Sequence, residues 1–110
     1  MPRLLKDFPA TEPLTLATYS VDFAPFIPPG ASLIAATWTL GLHAVEPGAS
    51  PDLMPQLRLI CAPQVECNTI AVQRIGNLVA GNDYLVSVSG TMSDGEVVVL
   101  WTVLPCRAPQ

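Results

Sequence analysis

Cys61, Cys67, Cys106 and His43 are the chain's only thiols and its only imidazole, so any zinc site or nucleophile–base pair would have to draw on them. A tetrahedral zinc site needs four such ligands to converge. Cys61 and Cys67 are separated by Ala-Pro-Gln-Val-Glu, which is not a zinc-knuckle spacing. The odd count cannot close a disulfide framework within one chain, so the expectation is three reduced thiols packed as small hydrophobes, with no metal. His43 lies between Leu42 and Ala44-Val45 and reads as a strand histidine rather than the base of a nucleophile. Paired-carboxylate chemistry needs two groups held about 5–9.5 Å apart in a cleft. The nine acidic residues are instead scattered over turns and termini, and Asp94 and Glu96 merely flank a hairpin glycine. The seven glycines are dispersed, which excludes a phosphate-cradling loop. Asp22 has two readings, a calcium ligand beside turn carbonyls or a turn-capping carboxylate that accepts backbone N–H groups ahead of Phe23. The second is the simpler. No catalytic, cofactor-binding or metal residue is assigned, and no enzyme is expected.

The elements around these residues point to a packed β domain. With 110 residues, half of them apolar, the chain can bury one core and not two. Charged residues make up 13%, against roughly 25% for an ordinary soluble domain. The net charge is −4 and Lys6 is the only lysine, which excludes the cationic face that nucleic acid or anionic lipid requires. No apolar run approaches the ~20 residues of a membrane span, and the opening Met-Pro-Arg-Leu-Leu-Lys-Asp lacks a signal-peptide core. The expectation is a soluble, non-secreted protein.

Twelve prolines break the chain into short extended stretches. Strand patterns run over 14–22, 32–40 with a continuation at 42–46, 57–62, 66–75, 84–89 and 96–104. Residues 23–30, with three prolines, read as an ordered turn carrying apolar anchors, and 47–56 as a mobile loop. Asp94-Gly95 is a favoured hairpin pair. About seven short strands without helical periodicity predict an all-β immunoglobulin-like sandwich of two antiparallel sheets. Its domain would span 14–106, with an extended N-terminal arm at 1–13 and a tail at 107–110.

Tyr84, opening a strand three residues after Gly81, is placed like the corner tyrosine of such a sandwich, buried and bonded through its hydroxyl to an upstream backbone group. Trp38 is the expected large core residue between the sheets. The last strand is apolar on both sides: Val97, Val99, Trp101 and Val103 share one face, and Val98, Leu100, Thr102 and Leu104 the other. A sandwich strand needs only one apolar face. The outward face is therefore expected to be a subunit contact, assigned to Val98, Leu100 and Leu104. Leu4, Leu5 and Phe8 of the arm would supply further contacts.

Several motifs occur together in order: Lys6-Asp7, Tyr19-Ser20-Val21-Asp22-Phe23, Ile27-Pro28-Pro29-Gly30, Leu33-Ile34 to Trp38, Gly81 to Tyr84-Leu85-Val86, and Thr91-Met92-Ser93-Asp94-Gly95. In this succession the chain resembles the fiber–tail adaptors, a family of small virion proteins of tailed bacteriophages, over nearly its whole length. Pro9 comes two residues late for that pattern, Ile75-Gly76-Asn77 replaces a Gly-Gly pair, and Gly48–Pro55 is longer and richer in proline. The resemblance implies a multi-copy structural protein joining the tail to fiber or spike proteins. It would be made in the host bacterial cytoplasm and bind other phage subunits and copies of itself. It implies no cofactor, nucleic acid, membrane or small-molecule substrate. A capsid decoration protein remains an alternative, and a carbohydrate-binding module a second, although most of the seven aromatic residues have core or turn assignments.

Overall fold

The structure, a computed structural model, describes Thr11 and residues 15–107. Among these residues, six strands form two three-stranded antiparallel sheets. They are β1 (Ala17–Asp22), β2 (Leu33–Val45), β3 (Leu59–Glu66), β4 (Ile70–Ile75), β5 (Asn82–Met92) and β6 (Val97–Pro105). One sheet has the order β1-β4-β3 and the other β2-β5-β6. That pairing is the B-E-D and C-F-G arrangement of an immunoglobulin sandwich. Among the described residues, no helix is long and apolar enough to cross a membrane.

The alternation along each strand builds the core. In β5, Asn82, Tyr84, Val86, Val88, Gly90 and Met92 are buried while the residues between them are half-exposed. Trp38 and Leu40 of β2 and Leu100 and Leu104 of β6 join this inner row. Val21, Ala71 and Ile75 meet it from the other sheet. Close packing leaves no room at Gly90, where an added Cβ would lie 2.7 Å from the Phe23 ring and 2.9 Å from Leu33 Cδ1.

Three features differ from the expectations above. Among the described residues there are six strands, because 32–40 and 42–46 form one strand: Gly41 stays in the ladder opposite Leu85, and the irregularities fall at Leu33/Ala35 and Leu42/Ala44. Pro63 does not end a strand. It lies within β3, and the turn to β4 comes at Cys67-Asn68, both with positive φ (52° and 57°), closed by Thr69 N–H to Glu66 O at 3.1 Å. Three residues, 67–69, separate the paired Glu66 and Ile70, and the two successive left-handed residues match the twist of the flanking strands. Around Pro63, β3 bulges: Ile60 pairs with Arg74 and Gln64 with Val72, so four residue steps face two. The buried Gln73 amide fills this gap, its Nε2 donating to the carbonyls of Ile60 (3.0 Å) and Cys61 (3.1 Å). Backbone acceptors that lose their ladder partner in a bulge are thereby satisfied.

Of the expected arm and tail, residues 1–10, 12–13 and 108–110 lie outside the described residues, as does residue 14, the first of the expected domain. Thr11 forms a parallel bridge with Cys106, donating to Pro105 O and accepting from Arg107 N–H. Arg107 is part of the domain rather than of a tail, its guanidinium reaching Asp83 Oδ1 at 2.6 Å and Glu46 Oε1 at 2.5 Å.

Candidate functional site

Residues directly opposite in an antiparallel pair point to the same side of the sheet. The register therefore defines the outer face of β2-β5-β6. Its middle row is Leu85, Ser87, Ser89 and Thr91. Gly41, Thr39 and Thr37 stand opposite the first three on one side, and Val103, Trp101, Val99 and Val97 opposite all four on the other. These positions carry no charged side chain. Charge returns at the two ends, at one where Arg107 pairs with both Asp83 and Glu46 and at the other in Asp94 and Glu96 of the β5–β6 hairpin. Val97 is 55% exposed. Trp101, His43, Leu85 and Ser87 line a shallow hollow of about 260 Å³ on this face.

The face of β6 assigned from sequence is the wrong one. Leu100 and Leu104 are fully buried, opposite Val88 and Tyr84, and Val98 packs partly buried against the same core. They are unavailable to a neighbour. Because β6 is apolar on both sides, its alternation is silent on which side turns inward; pairing with β5, whose faces differ, settles it. The outward row is Val97, Val99, Trp101 and Val103, of which Val97 is exposed, Val99 and Trp101 are half-buried and Val103 is buried. Leu4, Leu5 and Phe8 lie outside the described residues.

Beside this face runs the 46–58 connection, whose residues 47–56, expected to be mobile, are pinned by buried polar groups. Asp52, 4% exposed, is its centre. Its carboxylate accepts Arg58 Nε (2.8 Å) and Nη2 (3.0 Å), the Tyr84 hydroxyl (2.7 Å) and the Met54 N–H (3.0 Å). Asn82, fully buried, accepts the Asp52 N–H through Oδ1 (2.9 Å) and donates through Nδ2 to the carbonyls of Ser50, Val79 and Ala80. The Gln56 amide oxygen accepts the Leu40 N–H of β2 at 3.2 Å. A buried carboxylate persists only when its oxygens are this fully bonded. The Arg58 hydrogen bonds hold the Asp52 carboxyl down to about 2 against the opposing effect of burial, with Tyr84 and the Met54 N–H assisting. Burial pushes the Tyr84 phenol well above its ordinary value, so it stays a donor. Despite this anchoring, the loop turns apolar side chains outward: Leu53 is 86% exposed, and Met54 and Leu57 59% each.

Tyr84 is fully buried, and its hydroxyl oxygen accepts the Val79 N–H at 2.9 Å, the backbone contact of a corner tyrosine. Trp38 lies in the core, with no acceptor for its indole N–H among the described residues. Asp22 Oδ1 accepts the Ala24 N–H at 2.8 Å, the turn-capping geometry. Cys61 and Cys67 are exposed and Cys106 is buried. Among the described residues, no three His, Cys, Asp or Glu side chains gather as a metal site would require. Asp52 and Asn82 escaped the sequence reading. The available signal was an arginine six residues after an aspartate in an otherwise uncharged stretch, together with a later strand that opens on Asn-Asp-Tyr.

Compared with known protein families, curated proteins and solved structures, the chain matches none.

Proposed function

We propose that this chain is a structural, non-enzymatic component of a tailed bacteriophage particle. It joins the tail to fiber or spike proteins through protein–protein contacts, and the outer face of β2-β5-β6 is its contact surface. The observation that carries this reading is the uncharged outer face, from Thr37 across Ser87 to Val97 and Trp101. A sheet face left to solvent ordinarily carries charged residues outward; this one sets an apolar row on β6 beside rows largely of Ser and Thr on β5 and β2, with no charge, and depletion of charge marks an interface core. The ordered motifs shared with the fiber–tail adaptors supply the particle and the place in it. The aromatic residues speak against a sugar platform, since Phe23, Trp38 and Tyr84 are buried and Trp101 alone stands in the outer rows of the sheet.

Mass spectrometry and immunogold labelling of purified particles test the reading. Tens of copies at the tail support it, whereas hundreds over the capsid identify a decoration protein instead, and absence from particles refutes both. Val99→Asp should fold yet fail to enter particles if the outer face is the contact.

A further inference from the structure

Two complementary shapes occur on this one chain. The first is the projecting segment Leu53-Met54 with Leu57, whose side chains stand in solvent. From Pro51 to Leu57 its only charge is Asp52, which is buried and paired with Arg58, so its outer surface is uncharged. Its backbone is already fixed by Asp52, Asn82 and Gln56, so ordering it in a complex carries little further entropic cost. The second is the hollow among His43, Leu85, Ser87 and Trp101, also without a charged side chain. An apolar cavity of ~150 Å³ holds a benzene ring. At about 260 Å³, the hollow has room for a leucine or methionine side chain.

The two features lie on different parts of the surface. The projection follows the free edge of β2, where Gln56 meets Leu40, and the hollow spans the face of the sheet. A molecule can therefore offer its projection to one neighbour while receiving that of another. Flat pairing of two faces serves less well. Three strands about 4.8 Å apart and ~9 residues long cover only about 400 Å², half of the ~800 Å² per partner of a standard interface. A projection seated in the hollow adds Leu53, 86% exposed, with Met54 and Leu57, 59% each, to the part of the face that it covers.

We infer that Leu53, Met54 and Leu57 of one copy dock into the His43–Leu85–Ser87–Trp101 hollow of a second copy, linking molecules head to tail. Such a heterologous contact builds a ring if it closes and a filament if it does not. The inference rests on the reading of the outer face as a protein-contact surface and names its occupant.

Two variants test it. Leu53→Asp spoils the projection and leaves the hollow intact. Ser87→Arg fills the hollow and leaves the projection intact, with Thr39→Arg, directly opposite Ser87, as a second blocker should Ser87→Arg not fold. Each is checked for an unchanged circular dichroism spectrum and then followed by sedimentation velocity from micromolar to millimolar concentration. The wild-type full chain should associate with rising concentration, and each variant should stay monomeric. An equimolar mixture of the two variants should form dimers and nothing larger, because one intact projection meets one intact hollow. A monomeric wild type overturns the inference. So does a Leu53→Asp variant that associates like the wild type, which is the signature of symmetric face-to-face pairing, and so does a mixture that stays monomeric while the wild type associates. If the wild type is monomeric but Ser87→Arg is still excluded from particles, the contact-surface reading survives and only its self-docking occupant is wrong.

Discussion

The Tyr84 hydroxyl donates to Asp52 Oδ2 at 2.7 Å across 32 residues of sequence, and its oxygen accepts the Val79 N–H at 2.9 Å. One phenol thus ties the β4–β5 connection to the β2–β3 loop. Tyr84→Phe keeps the ring in the core and removes both bonds, leaving an amide and a carboxylate oxygen short of a partner. The expected cost is about 1–3 kcal/mol, read as a lower urea midpoint at unchanged slope. An unchanged midpoint would show that the corner holds without its hydroxyl.

The same carboxylate gives the fold an acid-sensitive component. Asp52 titrates near 2 in the folded chain against 3.8 when unperturbed, so on acidification the unfolded chain takes up the proton first. The associated stability is complete above the unfolded value and drains away as pH falls through the folded one. By the ~1.4 kcal/mol carried by each pKa unit, it amounts to about 2 kcal/mol. Asp52→Asn lacks this component. The difference in unfolding free energy between wild type and variant should therefore shrink steadily from about pH 4 down through pH 2. A difference constant with pH would mean that the ionised carboxylate contributes nothing.

Neighbouring positions on β6 should respond in opposite ways. Leu100, fully buried opposite Val88, is a core residue, and Leu100→Ala should cost about 2–5 kcal/mol. Val99 faces outward opposite Ser89, and Val99→Lys should change stability by under about 1 kcal/mol. Thermal unfolding of the two variants decides between the two orientations of the strand.

The thiols should divide by place. Cys61 and Cys67 are exposed, whereas burial raises the pKa of the Cys106 thiol and shields it from reagent. Because the thiolate is the reactive form, a thiol reagent should modify two groups in the native protein and the third only on unfolding. Rapid native modification of Cys106 would show that the Thr11–Cys106 end opens readily.

The all-β architecture and the inner rows of β5 were legible in the sequence, because Tyr84, Val86 and Val88 alternate with less apolar residues. Alternation fails where both faces are apolar, and β6 is that case: its orientation comes from the register with β5, a long-range property. Pro63 misled for the opposite reason. A proline ordinarily ends a strand, and here a buried glutamine ten residues later supplies the donors that let β3 bulge around it. The β2–β3 loop looked mobile because its composition is that of a loop. Its rigidity comes from Asn82 and Tyr84, about thirty residues away in the chain, which local composition cannot reveal.

The bulge around Pro63 also bears on crowding. An exposed sheet edge is a row of unpaired amides and carbonyls that invites another chain to add a strand, the route to cross-β fibrils. Here β3 is an edge strand, and it presents an irregular backbone with a proline that has no N–H to donate. The edge strand of the other sheet, β2, has its Leu40 amide already occupied by Gln56. Two of the four edges are therefore poor templates for further pairing. A chain this short of surface charge has little electrostatic repulsion to keep copies apart, so blunted edges leave side-chain contact on the sheet face as the way in which many copies can crowd together without polymerising into amyloid.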